Sequence, residues 1–203
     1  MYMAMQMAKQ DMKFRTLVIT VFSIFLFSCH NGTDDKTSGT ESDAPDEISE
    51  RAYSFAELYA QSETEYRWGG QDPLRAIQID CSGLIVMCYK YALVDTKYQL
   101  LLSDMSANYM YTNASSHIAK TELKKGNLIF MGPTHEDDKD ADENEISHIA
   151  LFEKTENGRI YFIDSTKKDT DGDGVVDIDG VTYRNYPQND KHFKAFGRMR
   201  VKY

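Results

Sequence analysis

Cysteine is scarce in this chain, with only three among its 203 residues. Cys81 and Cys88 lie in a segment with helical periodicity, which places them about 10 Å apart at 1.5 Å per residue. A disulfide needs Cα atoms closer than about 7 Å. The sequence therefore excludes a fold stabilised by a disulfide framework, and each cysteine needs its own explanation.

Long basic tracts and membrane-spanning apolar runs are missing as well. Without a basic or aromatic-basic repeat, we expect no binding to nucleic acid. The apolar stretch at residues 17–27 is about half of the roughly 20 residues that a transmembrane helix needs. There is no internal repeat, and a hydrophobic content of 41% suits one domain of ordinary size, which we expect to be a monomer.

The acidic residues are concentrated in three blocks. The net charge of the chain is −9, whereas residues 31–50, 136–145 and 169–179 carry −6, −6 and −5. The rest of the chain is mildly basic, so the acidity is a local property of these blocks.

The N-terminal segment has the features of a secretory signal. Lys13 and Arg15 precede the apolar stretch, and the tetrapeptide LFSC that ends at Cys29 resembles the lipobox of bacterial lipoproteins. We predict a lipoprotein signal peptide at residues 1–29, with Cys29 lipidated after cleavage. An ordinary signal peptide with an incidental cysteine and an uncleaved anchor are the alternatives.

Residues 30–50 are polar and acidic, with almost no apolar side chain. Such a segment cannot bury enough surface to become ordered. We predict a disordered acidic tether here, between the membrane and a folded domain at residues 51–203. The protein would then be lipid-anchored in the cell envelope, at the outer membrane or on the periplasmic face, with surface exposure left open.

Within the predicted domain, helical patterns come first and strand patterns follow. Apolar residues repeat at three and four positions before the Gly69-Gly70 loop and again after Cys81. Short β-branched and aromatic runs then take over, with Asn157-Gly158 as a strong hairpin turn. This order predicts an α+β fold in which N-terminal helices pack on a small antiparallel sheet.

The segment EYRWGGQDPLRAIQIDCSGLIVMCYKYAL places Cys81 at the start of a helix, directly after Asp80, a favourable N-cap residue. At the first turn of a helix, the outward N–H groups and the helix dipole favour the thiolate, which is the nucleophilic form. His148 opens a later strand in EISHIALFEK and would complete a Cys/His pair. The simpler alternatives are packing for the cysteine and a surface or core polar role for the histidine.

Four blocks in this order, YRWGG, DCSG at a helix start, KKGNLIF and SHIALF, resemble the NlpC family of papain-like bacterial cell-wall cysteine peptidases. The resemblance covers residues 51–203. It implies a papain-like fold, in which a helix carries the cysteine and a half-barrel or meander of strands carries the histidine. It also implies hydrolysis of peptide bonds in peptidoglycan stems, typically between D-glutamate and diaminopimelate.

Catalysis by a Cys/His pair needs a third group that orients the imidazole. The family places this group on the strand after the hairpin, and two residues are added here on each side of the Asn157-Gly158 turn. Because side chains alternate along a strand, this addition leaves Asp164 on the same face. We therefore predict a triad of Cys81, His148 and Asp164, although the family more often has histidine at the third position. The alternatives are Ser165 as the third member and a turn-capping role for Asp164.

By the same resemblance, four residues are assigned to the substrate: Tyr66, Trp68, Asp80 and Ser82. Tyr66 would line the cleft and help to stabilise the oxyanion beside the Cys81 backbone N–H. Asp80 and Ser82 would hold the free amine of an L-Ala-D-Glu stem. The alternatives are core packing for the two aromatic residues and helix capping alone for Asp80.

Catalysis needs no cofactor, but the segment DTDGDGVVDIDG matches part of a calcium-binding loop. The predicted ligands of a structural Ca²⁺ are Asp169, Asp171, Asp173, the Val175 carbonyl and Asp177, at positions 1, 3, 5, 7 and 9. Gly174 stands at position 6, where a sharp turn is required, whereas position 12 is Gly180 instead of the usual glutamate. Asp179 could replace the missing ligand. A solvated acidic turn without metal is the alternative.

The leading hypothesis from the sequence is a lipid-anchored cysteine peptidase that acts on peptidoglycan stem peptides or muropeptide fragments. The protein would also contact the membrane through its lipid anchor. Two alternatives stay open: a catalytically inactive relative that binds the cell wall or a partner, and a transferase of acyl or amide groups on the same fold.

Overall fold

The computed structural model describes residues 39–72, 77–134, 139, 140, 142 and 144–203. The folded unit begins at Gly39. The predicted signal peptide, the predicted lipidation site Cys29 and residues 30–38 of the predicted tether lie outside the described residues. Across the described ranges, no helix has the length and apolar character needed to cross a bilayer.

Three α-helices and eleven strands form the described part of the chain. The helices are α1 (Asp46–Ala60), α2 (Cys81–Ala92) and α3 (Ala107–Asn113). The strands are β1 (Glu41–Asp43), β2 (Thr64–Glu65), β3 (Gln71–Asp72), β4 (Ile77–Ile79), β5 (Gln99–Leu100), β6 (Ser115–Ile118), β7 (Leu128–Met131), β8 (His148–Glu156), β9 (Arg159–Lys168), β10 (Ile178–Pro187) and β11 (Phe193–Lys202). A short 3₁₀ helix spans Lys120–Glu122. The predicted α+β class is confirmed, while the papain-like arrangement stays a prediction.

The strands form a large antiparallel sheet and a small mixed one. The large sheet has the order β1-β11-β7-β8-β9-β10, with β5 and β6 also paired to β11. The small sheet has the order β2-β4-β3, in which β2 and β4 are parallel. Strands β7 to β10 are neighbours in chain order, which is the meander that the sequence predicts, whereas the last strand, β11, crosses back to pair with β7.

Helix α2 is the central helix of the fold. Nine of its twelve residues are buried, because its apolar side chains surround the helix instead of forming a single stripe. It packs against α1 on one side and against β8 and β9 on the other. This position fixes the first residue of α2 beside the sheet.

The hairpin between β8 and β9 turns at Asn157 and Gly158. Both residues have positive φ angles, of 50° and 72°, which are the angles that a two-residue type I′ turn requires. The register places Glu156 opposite Arg159. The predicted turn is therefore confirmed, and it fixes the register in which β9 pairs with β8.

The predicted boundary between tether and domain at residue 50 is wrong. Strand β1 pairs with the end of β11, and Ala44 N donates to the carbonyl of Met199 at 2.8 Å. Ala44 and Ile48 are buried, whereas the acidic side chains Glu41 and Asp43 stay exposed. An edge strand is held by backbone hydrogen bonds, so it needs few apolar side chains, and a polar composition did not reveal it.

Candidate active site

Cys81 is the first residue of α2, and its side chain is buried. Asp80 is the N-cap, and its Oδ1 accepts a hydrogen bond from Gly83 N at 2.6 Å. This cap satisfies one of the free N–H groups at the helix start. The predicted cap is confirmed, and the sulfur lies at the positive end of the helix dipole.

The Gly69-Gly70 turn lies against the start of α2. Gly69 N donates to Asp80 Oδ2 at 2.8 Å, and Asp80 N donates to the Gly70 carbonyl at 3.3 Å. A Cβ atom at Gly70 would stand 2.5 Å from the carbonyl oxygen of Gln78. Glycine is therefore required here for the loop to approach β4, the strand that leads to the helix carrying Cys81.

Asp80 already has several donors within the protein. Its Oδ1 accepts from Gly83 N and from Ser82 Oγ, the latter at 3.0 Å, and its Oδ2 accepts from Gly69 N. This network agrees with the capping alternative for Asp80. The assignment of Asp80 and Ser82 to a substrate amine stays a prediction.

His148 and Asp164 form a hydrogen-bonded pair. His148 is the first residue of β8, and its Nε2 lies 2.6 Å from Asp164 Oδ2. The Asp164 side chain is completely buried, while 21% of the His148 side chain is exposed. Because an ionised carboxylate only accepts hydrogen bonds, Nε2 carries the proton and the other ring nitrogen is left for a second partner.

Cys81 is that second partner of the imidazole. Burial lowers the pKa of His148, but hydrogen bonds to the side chains of Asp164 and Cys81, together with their charges, raise it to about 9. At neutral pH the imidazole is therefore protonated. The structure thus brings together the three residues that the sequence predicts as a triad.

Arg184 is a residue of the site that the sequence analysis missed. From β10, its Nε donates to Asp164 Oδ1 at 3.0 Å and its Nη2 to Asp164 Oδ2 at 2.5 Å. Nη1 donates to the Tyr186 hydroxyl at 3.1 Å, and the guanidinium lies over the rings of Phe162 and Tyr186. The alternation in VTYRNY places Arg184 and Tyr186 on one face, which was the available signal, but alternation alone does not tell which face is buried.

Asp164 is shared between His148 and Arg184. Burial raises the pKa of Asp164, but the hydrogen bond to His148 and the charges of His148 and Arg184 outweigh it and hold this pKa below its ordinary value. The carboxylate is therefore ionised although it is buried. A buried charge is tolerated where it has an opposite charge beside it and well-aligned hydrogen bonds, and both conditions are met here.

Ser165 faces away from this cluster. Its Oγ donates to the carbonyl of Ile79 at 2.6 Å, and both residues are buried. Neighbouring residues of a strand point to opposite faces, so Ser165 cannot share the position of Asp164. The bond joins β9 to the residue two positions before Cys81, and so it fixes the helix start relative to the sheet.

Tyr66 and Trp68 occupy different environments. Burial raises the pKa of Tyr66 to about 12, with smaller contributions from the charges of Cys81 and Asp80. Trp68 is 82% exposed, and the core-packing alternative for this residue is wrong. The assignment of both residues to the substrate stays a prediction.

The acidic loop between β9 and β10 brings three of its carboxylates together. Ligand oxygens of Asp169, Asp171 and Asp177 lie within 4.8 Å of one another. Asp173 does not belong to this group, and its Oδ1 accepts from Val175 N at 2.7 Å. Three of the five predicted calcium ligands are therefore assembled among the described residues.

Asp179 is occupied elsewhere. Its Oδ1 accepts from the backbone N of Tyr66 at 2.7 Å, and its Oδ2 pairs with Lys167 at 2.9 Å. These two bonds lower the pKa of Asp179. Asp179 thus links the end of the loop to the segment that carries Tyr66, and it is not free to act as the missing calcium ligand.

Comparison with known proteins gives a family. The sequence matches the NlpC/P60 family over residues 63–177, more than half of the chain. A Staphylococcus aureus protein described as similar to lipoproteins of the NLP/P60 family shares 22% identity at a TM-score of 0.47, over 81% of this chain and 45% of that one. The search of curated proteins found no match.

Two further solved structures are similar at the same level. NlpC1 from Trichomonas vaginalis has 17% identity and a TM-score of 0.47, over 78% of this chain and 46% of its own. An NlpC/P60 family protein from Bacillus cereus has 16% identity and a TM-score of 0.47, over 78% of this chain and 41% of its own. The chain spans less than half the length of these three structures.

A thiol at a helix start, an imidazole on the sheet and a buried carboxylate on the next strand define an α+β protein with a Cys–His–Asp cluster. The match over residues 63–177 shows that the chain belongs to the NlpC/P60 family. The family resemblance found in the sequence is therefore confirmed.

Proposed function

We propose that the protein is a cysteine peptidase that hydrolyses peptide bonds in peptidoglycan stem peptides. The observation that carries this proposal is the arrangement around His148, whose ring binds Asp164 through Nε2 and Cys81 on its other side. An imidazolium beside a sulfur favours the thiolate. Amide hydrolysis needs a nucleophile and a proton donor, and the thiolate and the imidazolium supply them.

The chemistry proceeds in two steps. The Cys81 thiolate attacks the amide carbonyl, the carbon–nitrogen bond breaks, and the proton of His148 goes to the leaving amine. Water then attacks the resulting thioester, His148 takes its proton, and the sulfur leaves. Asp164 keeps the ring oriented in both steps, while the Cys81 backbone N–H and the Tyr66 hydroxyl stabilise the oxyanion.

The bond that we propose as the target joins D-glutamate to diaminopimelate, by family resemblance. Tyr66 and Trp68 would line the path of the stem, and Asp80 and Ser82 would face its L-Ala amine. The segment around Cys29 would attach the enzyme to a membrane of the envelope through lipid, which places it near this substrate. We propose a monomer that does not bind nucleic acid.

Digestion of the defined peptide L-Ala-γ-D-Glu-meso-diaminopimelate tests the proposal. Wild type should release new amino groups, and mass spectrometry should show L-Ala-D-Glu and free diaminopimelate. Cys81→Ala should reduce the rate to background because it removes the nucleophile. Cys88→Ala is the matched control and should keep activity, since Cys88 is a buried, free thiol on the same helix.

Other products would identify other functions. If wild type releases nothing but sediments with isolated peptidoglycan, the protein is a wall-binding relative. If an added amine appears acylated in the products, the protein is a transferase. Either result rejects the peptidase proposal.

We also propose that the loop of Asp169, Asp171 and Asp177 holds a structural calcium ion. The support is the approach of three carboxylates to within 4.8 Å in a loop whose glycines Gly172 and Gly174 have positive φ. Oxygen ligands of this type suit Ca²⁺. The ion would order the end of the β9–β10 hairpin and would not take part in catalysis.

A further inference from the structure

A cavity of about 230 Å³ borders His148 on the face of the sheet that carries Arg184. Thr166 and Lys168 of β9, Arg184 and Tyr186 of β10, and His192 line it together with His148. Cys81 is not among the described residues that line this cavity. Arg184 lines the cavity and binds Asp164, which lies at Nε2 of the His148 ring, whereas Cys81 lies at the other ring nitrogen, so the cavity borders the side of the imidazole that faces away from the sulfur.

The position of the cavity determines which part of a bound substrate can reach it. In the proposed reaction, His148 gives its proton to the leaving amine, so the leaving residue must lie against the imidazole. The acyl portion stays bound to Cys81 on the other side. A substrate that spans the site would thus direct its leaving residue toward the cavity.

The charges around the cavity favour an anion. None of the described lining residues is acidic, whereas His148, Lys168, Arg184 and His192 can all be cationic. Three of these are already paired, since His148 and Arg184 share Asp164 and His192 Nδ1 lies 2.6 Å from Asp190 Oδ1.

Among the described residues that line the cavity, Lys168 is the cation that remains available. Within the described part of the chain, no acidic side chain forms an ion pair with Lys168. Its neighbour Asp169 is directed into the acidic loop, where its two oxygens accept from Gly172 N and Gly174 N. The hydroxyls of Thr166 and Tyr186 add polar groups to the same lining.

We propose that this cavity binds a free carboxylate of the leaving residue, with Lys168 as its counter-ion. The proposal rests on the proposed peptidase function and adds a preference to it: substrates whose leaving residue is a free acid are favoured over those in which it is amidated. A charge-assisted hydrogen bond in a partly enclosed site is strong enough to discriminate between a carboxylate and a carboxamide.

Two substrates that differ only in the leaving residue test this preference. One is L-Ala-γ-D-Glu-meso-diaminopimelate with both diaminopimelate carboxylates free, and the other is its diamide. For wild type, KM for the diacid should be lower by roughly tenfold, the factor expected for one hydrogen bond to a charged group. Lys168→Gln should bring the two KM values together.

Lys154→Gln is the matched control, since Lys154 is an exposed lysine of β8 that pairs with Glu156 near the hairpin turn. It should keep the wild-type preference. Equal KM values for the two substrates in wild type would overturn the proposal, and so would a full preference that survives in Lys168→Gln.

A binding experiment separates this proposal from the peptidase function. Free meso-diaminopimelate should shift the ring signals of His148 in wild type and in Lys154→Gln, but not in Lys168→Gln, and its diamide should shift none of them. If wild type cleaves neither substrate but shows this pattern, the peptidase function fails and the carboxylate site stands. If wild type cleaves the peptides but diaminopimelate shifts no signal, the carboxylate site fails alone.

Discussion

The hairpin of β9 and β10 carries carboxylates in two contrasting environments. Asp164, in the middle of β9, is completely buried and is bound by His148 and Arg184. Asp169 and Asp177, in the loop that follows, are bound by backbone or hydroxyl groups of the loop itself. Charged side chains from other strands compensate the negative charge of Asp164, whereas hydrogen-bond donors of the loop and solvent compensate the charges of Asp169 and Asp177.

This difference separates a buried charge, which the fold has to compensate, from exposed charges, which solvent and local donors compensate. A buried carboxylate without partners would be protonated, so the ionised state of Asp164 requires the two cations that face it. The loop carboxylates keep their charge in water without such help. Hydrogen bonds from Gly174 N and Gly172 N lower the pKa of Asp169, and those from Thr170 lower that of Asp177.

Asp164→Asn should have the largest effect among changes on this hairpin. The substitution keeps the shape of the side chain but removes the charge that orients His148 and raises its pKa. We expect kcat to fall by roughly 10²- to 10⁴-fold, the range in which a positioned acid–base group contributes. Steady-state kinetics on the stem peptide measures this.

Asp171→Asn is the control for that experiment, because it removes the same charge from the exposed loop. It should leave kcat near the wild-type value. If the two variants lose activity equally, or if Asp164→Asn keeps full activity, the contrast between the two environments does not hold.

Arg184→Gln should rank second, with its main effect on stability. The guanidinium forms two hydrogen bonds to Asp164, and its removal leaves a buried carboxylate with one cation. Breaking such a buried pair costs about 3 kcal/mol of unfolding free energy, which urea denaturation can measure.

Arg184→Lys refines this test. A lysine keeps the charge but cannot form the planar pair of hydrogen bonds, so it should recover only part of the lost stability. Wild-type stability in Arg184→Gln would show that Arg184 does not support Asp164.

The smallest effect should come from calcium. If the loop binds the ion, millimolar Ca²⁺ should raise the melting temperature of wild type, because a ligand that binds only the folded state stabilises it. Asp171→Asn should abolish this rise, and neither protein should change its kcat with chelator. An unmoved melting temperature in wild type would leave the loop as a solvated acidic turn.

The sequence predicted Cys81 and His148 from local signals, since Cys81 follows an N-cap and His148 opens a strand. Asp164 was predicted through the family resemblance, which gives the position of the third residue relative to the Asn157-Gly158 turn. Each signal depends on neighbours along the chain, and the fold preserved all of them.

The features that were missed depend on contacts between distant segments. Arg184 reaches Asp164 from another strand, and Ser165 anchors Ile79, far away in sequence. The early start of the fold at β1 depends on backbone pairing with β11. Composition and periodicity do not identify which segments meet in the fold, whereas local patterns were enough for the class of fold.

The central claim is that the fold holds His148 as an imidazolium between Asp164 and Cys81. An NMR titration of the His148 ring tests it most directly, with His148→Gln used to assign the signal. The account predicts a midpoint near pH 9 in wild type and a clearly lower one in Asp164→Asn. A wild-type midpoint near the ordinary histidine value of about 6.5 would contradict it.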